Sequence, residues 1–231
     1  RSLLDPAAER DYRNAPPKLK VAVLDMQPIT PAVGGGRLRL YGLYHDLGEQ
    51  FETRYVGSYD WPGEEFRQEQ LTPSLKEIVV PLSEAHHKAA EEARRKAGGR
   101  VVIDMLFGVQ GHLSEAYLDE TRRAVEWADI VVFSHPWVAP LIDDGALEGK
   151  FVVYDSQNVE LDLREQLLER GDSFQSYVLD QVEAAERTAG DRAHLVLACS
   201  AGDAVRFAEK YGWPLSHAEL MPNGVFSQRI V

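Results

Sequence analysis

The chain has 231 residues, 44% hydrophobic and 27% charged, which is enough apolar side chain for a folded core and excludes a disordered polymer. Its 25 basic and 37 acidic residues give a formal charge of −12, which argues against a broad nucleic-acid surface and against general adsorption to anionic lipid. The single cysteine, Cys199, excludes an internal disulfide and a CxxC zinc site, and suits a reducing, cytoplasmic compartment.

Residues 1–17 form a polar lead-in that ends in Pro16-Pro17. The apolar run 18–26 (KLKVAVLDM) predicts a buried parallel strand, and 27–36 (QPITPAVGGG) a loop. Leu38, Leu40, Leu43, Tyr44 and Leu47 have helical spacing, with Gly48 as a C-cap. Residues 51–59 alternate apolar and polar side chains as a second strand does. Residues 76–81 predict a third strand, and 83–96 a helix capped by Ser83 with Gly98-Gly99 beyond its end. The stretch 100–109 fits a strand or a buried helix equally. Further on, the pattern predicts a helix over 114–127 and strands over 129–134 and 150–155. Helices follow near 158–169 and 173–189, then a strand over 194–199, a helix over 200–211 and a short strand over 218–221. No apolar run reaches the ~18 residues of a membrane span. Strands alternating with helices predict an α/β fold: a Rossmann-like three-layer α/β/α sandwich with a mostly parallel sheet and right-handed crossovers. Ligands of such sheets sit beyond the carboxyl ends of the strands. The places to search are therefore just after Met26, Tyr59, Ser134, Asp155 and Cys199.

Gly34, Gly35 and Gly36 precede a helix, where backbone N–H groups and the helix dipole suit an anion, and Arg37 and Arg39 add charge-assisted donors. A dinucleotide fingerprint is disfavoured, because G-x-G-x-x-G counted from Gly34 ends on Arg39; no Gly-Lys-Ser/Thr follows for a P-loop. His135 and Trp137 follow a strand, one able to hydrogen-bond a hydroxyl and the other to stack on a sugar face, or else to cap and pack. Gln157, Asn158 and Glu160 also follow a strand and suit either hydroxyl binding or a helix start. Ser200 with Asp203 reads as a capping box, Cys199 as a small buried hydrophobe, and His86-His87 as a solvated helix face. No metal-ligand spacing occurs.

Taken in order, segments 20–48, 128–142, 152–168, 183–212 and 221–225 (MPNGV) resemble the N-terminal domain of a family 4 (group 1) glycosyltransferase with a GT-B fold. The resemblance implies retaining transfer of a sugar from a nucleotide-sugar donor, used as a substrate with no further cofactor, to a glycan, lipid-linked or small-molecule acceptor. It implies that Gly34–Gly36 with Arg37 face the donor's diphosphate and sugar. His135, near the transferred sugar, is then the candidate catalytic residue. Trp137, Gln157, Asn158 and Glu160 are placed on the acceptor side. Gln157 departs from the pattern, since many relatives carry histidine there. Residues 18–225 are then the acceptor-side domain and 226–231 the start of a linker. The family's donor domain with its E-x7-E glutamates is expected beyond the linker, and residues 1–231 alone are expected to transfer little sugar. Peripheral membrane contact through an exposed helix stays open. The other readings are a stand-alone α/β domain that binds a glycan or a protein without catalysis, and a GT-B epimerase or phosphorylase. The Asn158-Val159-Glu160 and PNGV segments favour the transferase over the latter pair.

Overall fold

The computed structural model describes residues 17–224, so all but Pro17 of the expected lead-in, and the expected linker, lie outside the described residues. Its strands are β1 (Leu19–Leu24), β2 (Phe51–Gly57), β3 (Arg67–Gln70), β4 (Leu75–Val79), β5 (Ile130–Phe133), β6 (Phe151–Asp155), β7 (Leu195–Ala198) and β8 (Ala218–Leu220). They form one sheet in the order β3-β4-β2-β1-β5-β6-β7-β8. Every pair is parallel except β3 with β4. From β1 the chain builds outward through β2 and β4. It then crosses back to β5 on the other side of β1 and builds outward again. The strand order therefore reverses between β1 and β5, and the segments leaving their paired carboxyl ends part to leave a crevice.

Successive strand residues point to opposite faces, and the core divides accordingly. Val21, Val23, Tyr55, Val132 and Val153 face α1 (Gly34–Tyr44), which covers them with Leu40 and Tyr44. Ala22, Leu24, Val56, Val131, Phe133, Val152 and Tyr154 face the other way. There they meet α2 (Glu84–Lys96), α4 (Glu115–Trp127), α7 (Ser173–Arg192) and α8 (Ala201–Tyr211). Short helices α3 (Phe107–Gln110), α5 (Asp144–Leu147) and α6 (Glu160–Glu165) fill connections. This is the expected Rossmann-like α/β fold with helices on both faces. No helix of the described residues is long and apolar enough to cross a membrane.

Local departures have physical reasons. β3 is polar and mostly exposed, so it carries no apolar alternation to reveal it. Residues 100–109 resolve into turns and the start of α3. α6 is not capped by Ser156 or Asn158. The buried carboxylate of Glu186, on α7, accepts from Glu160 N (2.6 Å) and Leu161 N (3.3 Å) instead, so a distant residue satisfies the first turn. Tyr211 and Tyr154 hydroxyls also donate to Glu186, and burial pushes its carboxyl up to about 7. Ser83 and Ser200 cap α2 and α8 as expected.

His86 overturns the solvated-face expectation. It is fully buried, stacks on Phe107 at 5.3 Å, and its Nδ1 lies 3.1 Å from Ser114 Oγ. Its Nε2 has no partner among the described residues. Burial, with His87 and His112 nearby, pushes the ring down to about 4. The unfolded chain takes up this proton near pH 6.5, the folded chain only near 4. The group's contribution is therefore intact above pH 6.5 and is lost as pH falls through that window, by up to ~3 kcal/mol. Urea unfolding at several pH values should show the wild type losing that much more stability than His86→Phe between pH 6.5 and 4. Parallel profiles would contradict the assignment.

Candidate functional site

The crevice between β1 and β5 is organised by Asp25, the first residue after β1. Its side chain is only 1% exposed. Oδ1 accepts from Met26 N (2.6 Å) and Gln27 N (3.2 Å), which turns the chain out of the strand. Oδ2 accepts from Ser134 Oγ (2.6 Å) and stands 3.0 Å from His135 Nδ1, both just after β5. The Tyr117 hydroxyl donates to the Asp25 carbonyl. One carboxylate therefore ties together the ends of the two strands that flank the switch point. Burial alone would raise the Asp25 carboxyl, but the His135 charge and the hydrogen bonds from His135, Ser134 and Met26 hold it below the usual range. Burial likewise opposes the charged imidazole. Asp25, helped by Glu160 and Asp104, nevertheless raises His135 to about 9. At neutral pH His135 is an imidazolium with Nδ1 committed to Asp25 and Nε2 left as the nitrogen available to a ligand.

Asp25 and His135 open onto a cleft of about 320 Å³. Asp60, Asp104 and Arg164 supply further polar lining, Val101 and Ile103 an apolar wall. Arg164 comes from α6. Its Nη2 bonds Asp104 (2.8 Å) and Glu160 (3.0 Å), and its guanidinium lies 5.3 Å from the Trp137 ring centroid. Burial and the neighbouring Glu160 push the Asp104 carboxyl up, against the pull of Arg164.

Two more buried carboxylates fix the loops beside the cleft. Glu77, on β4, accepts from Ile29 N (2.6 Å), Thr30 N (3.0 Å) and the Thr30 hydroxyl, and pairs with Arg67 at 2.9 Å. That pins the loop leading to the glycines. Gly57 admits this loop: a Cβ there would stand 2.4 Å from the Gln27 carbonyl oxygen. Asp155, at the end of β6, pairs with the buried Arg39 at 2.7 Å and accepts from the Tyr44 hydroxyl at 2.8 Å. Arg39 also donates to Met221 O (2.6 Å) and Asn223 Oδ1 (3.0 Å), so α1 holds the MPNG segment.

Of the residues singled out from sequence, His135 and Trp137 line the cleft, and Glu160 reaches it through Arg164. Trp137 is 3% exposed and packed in the core beneath Arg164, which leaves little ring for a sugar to stack on. Asn158 donates to Glu160 at 3.3 Å. Gly34–Gly36 open α1 with no side-chain cap and stand outside the cleft lining. Gln157 lies beside them, its Oε1 3.1 Å from where a Gly36 Cβ would be. The Arg37 guanidinium rests 5.4 Å from the Trp61 ring centroid. Burial raises the Cys199 thiol rather than activating it. Asp25, Asp60, Asp104 and Arg164 were not singled out. Asp60 follows Tyr59, a place marked for search; Asp25 falls inside the strand expected over 18–26, which ends two residues earlier at Leu24, and Asp104 and Arg164 gain meaning only through their contact.

No protein-family model and no curated protein matches the chain. Solved structures similar to it include trehalose-6-phosphate synthase OtsA, at TM-score 0.49 and 11% identity over 89% of this chain and 50% of that one. Another is "Trehalose-6-phosphate from E. coli bound with UDP-2-fluoro glucose", at 0.48 and 12% over 91% and 50%. A third is an alpha,alpha-trehalose-phosphate synthase (UDP-forming) from Burkholderia xenovorans in complex with glucose-6-phosphate, at 0.46 and 10% over 89% and 50%. The chain spans about half the length of these structures.

The Asp25–His135 pair predicts a proton-binding signature. By NMR, His135 should keep its proton through neutral pH and release it near pH 9, and Asp25→Asn should lower that midpoint by more than about one unit. Because the folded value lies above the unfolded 6.5, the contribution of the His135 proton is full below pH 6.5 and lost as pH rises through 9, while that of the Asp25 carboxylate is lost in acid as pH falls below the usual carboxylate range. An unchanged midpoint in Asp25→Asn would contradict the pairing.

Proposed function

We propose that this chain is the acceptor-side half of a GT-B glycosyltransferase, in which a sugar passes from a nucleotide-sugar donor to an acceptor hydroxyl with retention. The observation that carries the proposal is the charged Asp25–His135 pair at the sheet's switch point, facing a polar cleft large enough for a monosaccharide unit. The family 4 segments give the same assignment from sequence, and they include the His135 segment.

The chemistry follows from the protonation state. An imidazolium held by a buried carboxylate is a poor general base at neutral pH and a good fixed donor. His135 Nε2 would donate to a hydroxyl of the transferred sugar. Arg164, oriented by Asp104, Glu160 and Trp137, would hold acceptor hydroxyls. The open N-terminus of α1, reached past Gln27 and Gln157, would face the donor's phosphates when a second domain closes over the cleft. Donor and acceptor would then be oriented and screened from water together.

Isothermal titration with simple hexoses should show binding to residues 1–231 that His135→Ala weakens at least tenfold, without measurable turnover of a nucleotide sugar. Absence of any hexose binding would contradict the acceptor assignment. Turnover by residues 1–231 alone would contradict the division of labour between halves.

A further inference from the structure

The cleft's charge pattern narrows the class of sugar it takes. Its lining contains two cationic side chains, His135 and Arg164. Both are already matched. His135 Nδ1 is bound to Asp25 at 3.0 Å. Arg164 meets Asp104 at 2.8 Å and Glu160 at 3.0 and 3.1 Å, and lies over Trp137. Against these two cations stand four carboxylates: Asp25, Asp60 and Asp104 in the lining, and Glu160 behind Arg164. Two negative charges are in excess. Asp60 is the exposed one, and its charge acts on the neighbouring His87 imidazole.

A phosphate or carboxylate entering here would lose hydration beside that excess, with both cations already engaged. Like-charge juxtaposition of this kind is how sites reject wrong partners. A protonated amine would meet the opposite field, and carboxylate oxygens accept well from ammonium and hydroxyl donors. Resting on the reading of this cleft as the acceptor site, we propose that it takes a sugar without negative charge, prefers an amine-bearing hexose, and owes that choice to Asp60 and Asp104. Asp60 sets the field at the mouth. Asp104, held by Arg164, sets it further along the lining.

The test is titration calorimetry on residues 1–231 at about pH 6.5 with three probes that share one hexose ring and differ in charge: glucosamine, glucose and glucose-6-phosphate. The expected order of affinity is glucosamine, then glucose, then glucose-6-phosphate, with at least tenfold between first and last. Asp60→Asn is an exposed change that leaves the fold intact, and it should shrink that spread at least threefold. Asp104→Asn should do the same, with circular dichroism confirming that it folds. Glucose-6-phosphate binding as tightly as glucosamine would overturn the charge selection and leave the acceptor assignment standing. A spread that survives both substitutions would overturn the roles of Asp60 and Asp104. Binding of none of the three would overturn the acceptor assignment itself.

Discussion

The Asp25 carboxylate is the interaction on which the site depends. A parallel sheet ends in a row of backbone groups and diverging loops, and at the switch point the pairing of β1 with β5 stops at their last residues and does not link the loops that leave them. Asp25 supplies that link. It turns its own chain by accepting from Met26 and Gln27, and reaches across to Ser134 and His135 on the neighbouring strand. A charge this deeply buried is tolerated because every bond it accepts is made and a counter-ion stands at 3.0 Å. The same contact fixes the ring orientation and charge of His135. Structure and chemistry at this point share one ion pair.

The pattern repeats along the carboxyl edge of the sheet. Glu77 pins the loop before α1, Asp155 holds Arg39 and Tyr44, and Glu186 caps α6, which carries Arg164 into the cleft. Each is a buried carboxylate that gathers donors from distant segments. Breaking such a pair by removing one partner costs about 3–5 kcal/mol, because the remaining charge stays buried. The core on the two faces accounts for the sandwich. These carboxylates account for the positions of the loops above it. Arg39 adds a mechanical link, since the helix that presents the glycines also holds Met221 and Asn223.

Much of this was legible in the sequence, and the missing part is consistent in kind. Apolar runs and alternation marked seven of the eight strands, and in all of these but the exposed edge strand β8 burial on a parallel sheet leaves that imprint. Polar β3 escaped because an edge strand needs no such pattern. His135 and Trp137 were legible from their place after a strand, but the packing that submerges Trp137 was not. Asp104 and Arg164 lie 60 residues apart in the chain and act through a 2.8 Å contact, which local spacing does not encode. His86 misled because an Ala-, Glu- and Lys-rich helix looks solvated, while its one buried stripe faces Phe107 and Ser114.

The central claim is that the crevice built on Asp25 and His135 receives a sugar. Backbone amide NMR of residues 1–231, titrated with a neutral hexose, tests it most directly. The account predicts shifts concentrated at 25–27, 60, 101–104, 135, 137 and 164, saturating together. Shifts confined instead to the far end of the sheet, around Leu141, Asp143 and Lys150, would contradict it, as would no shift at all.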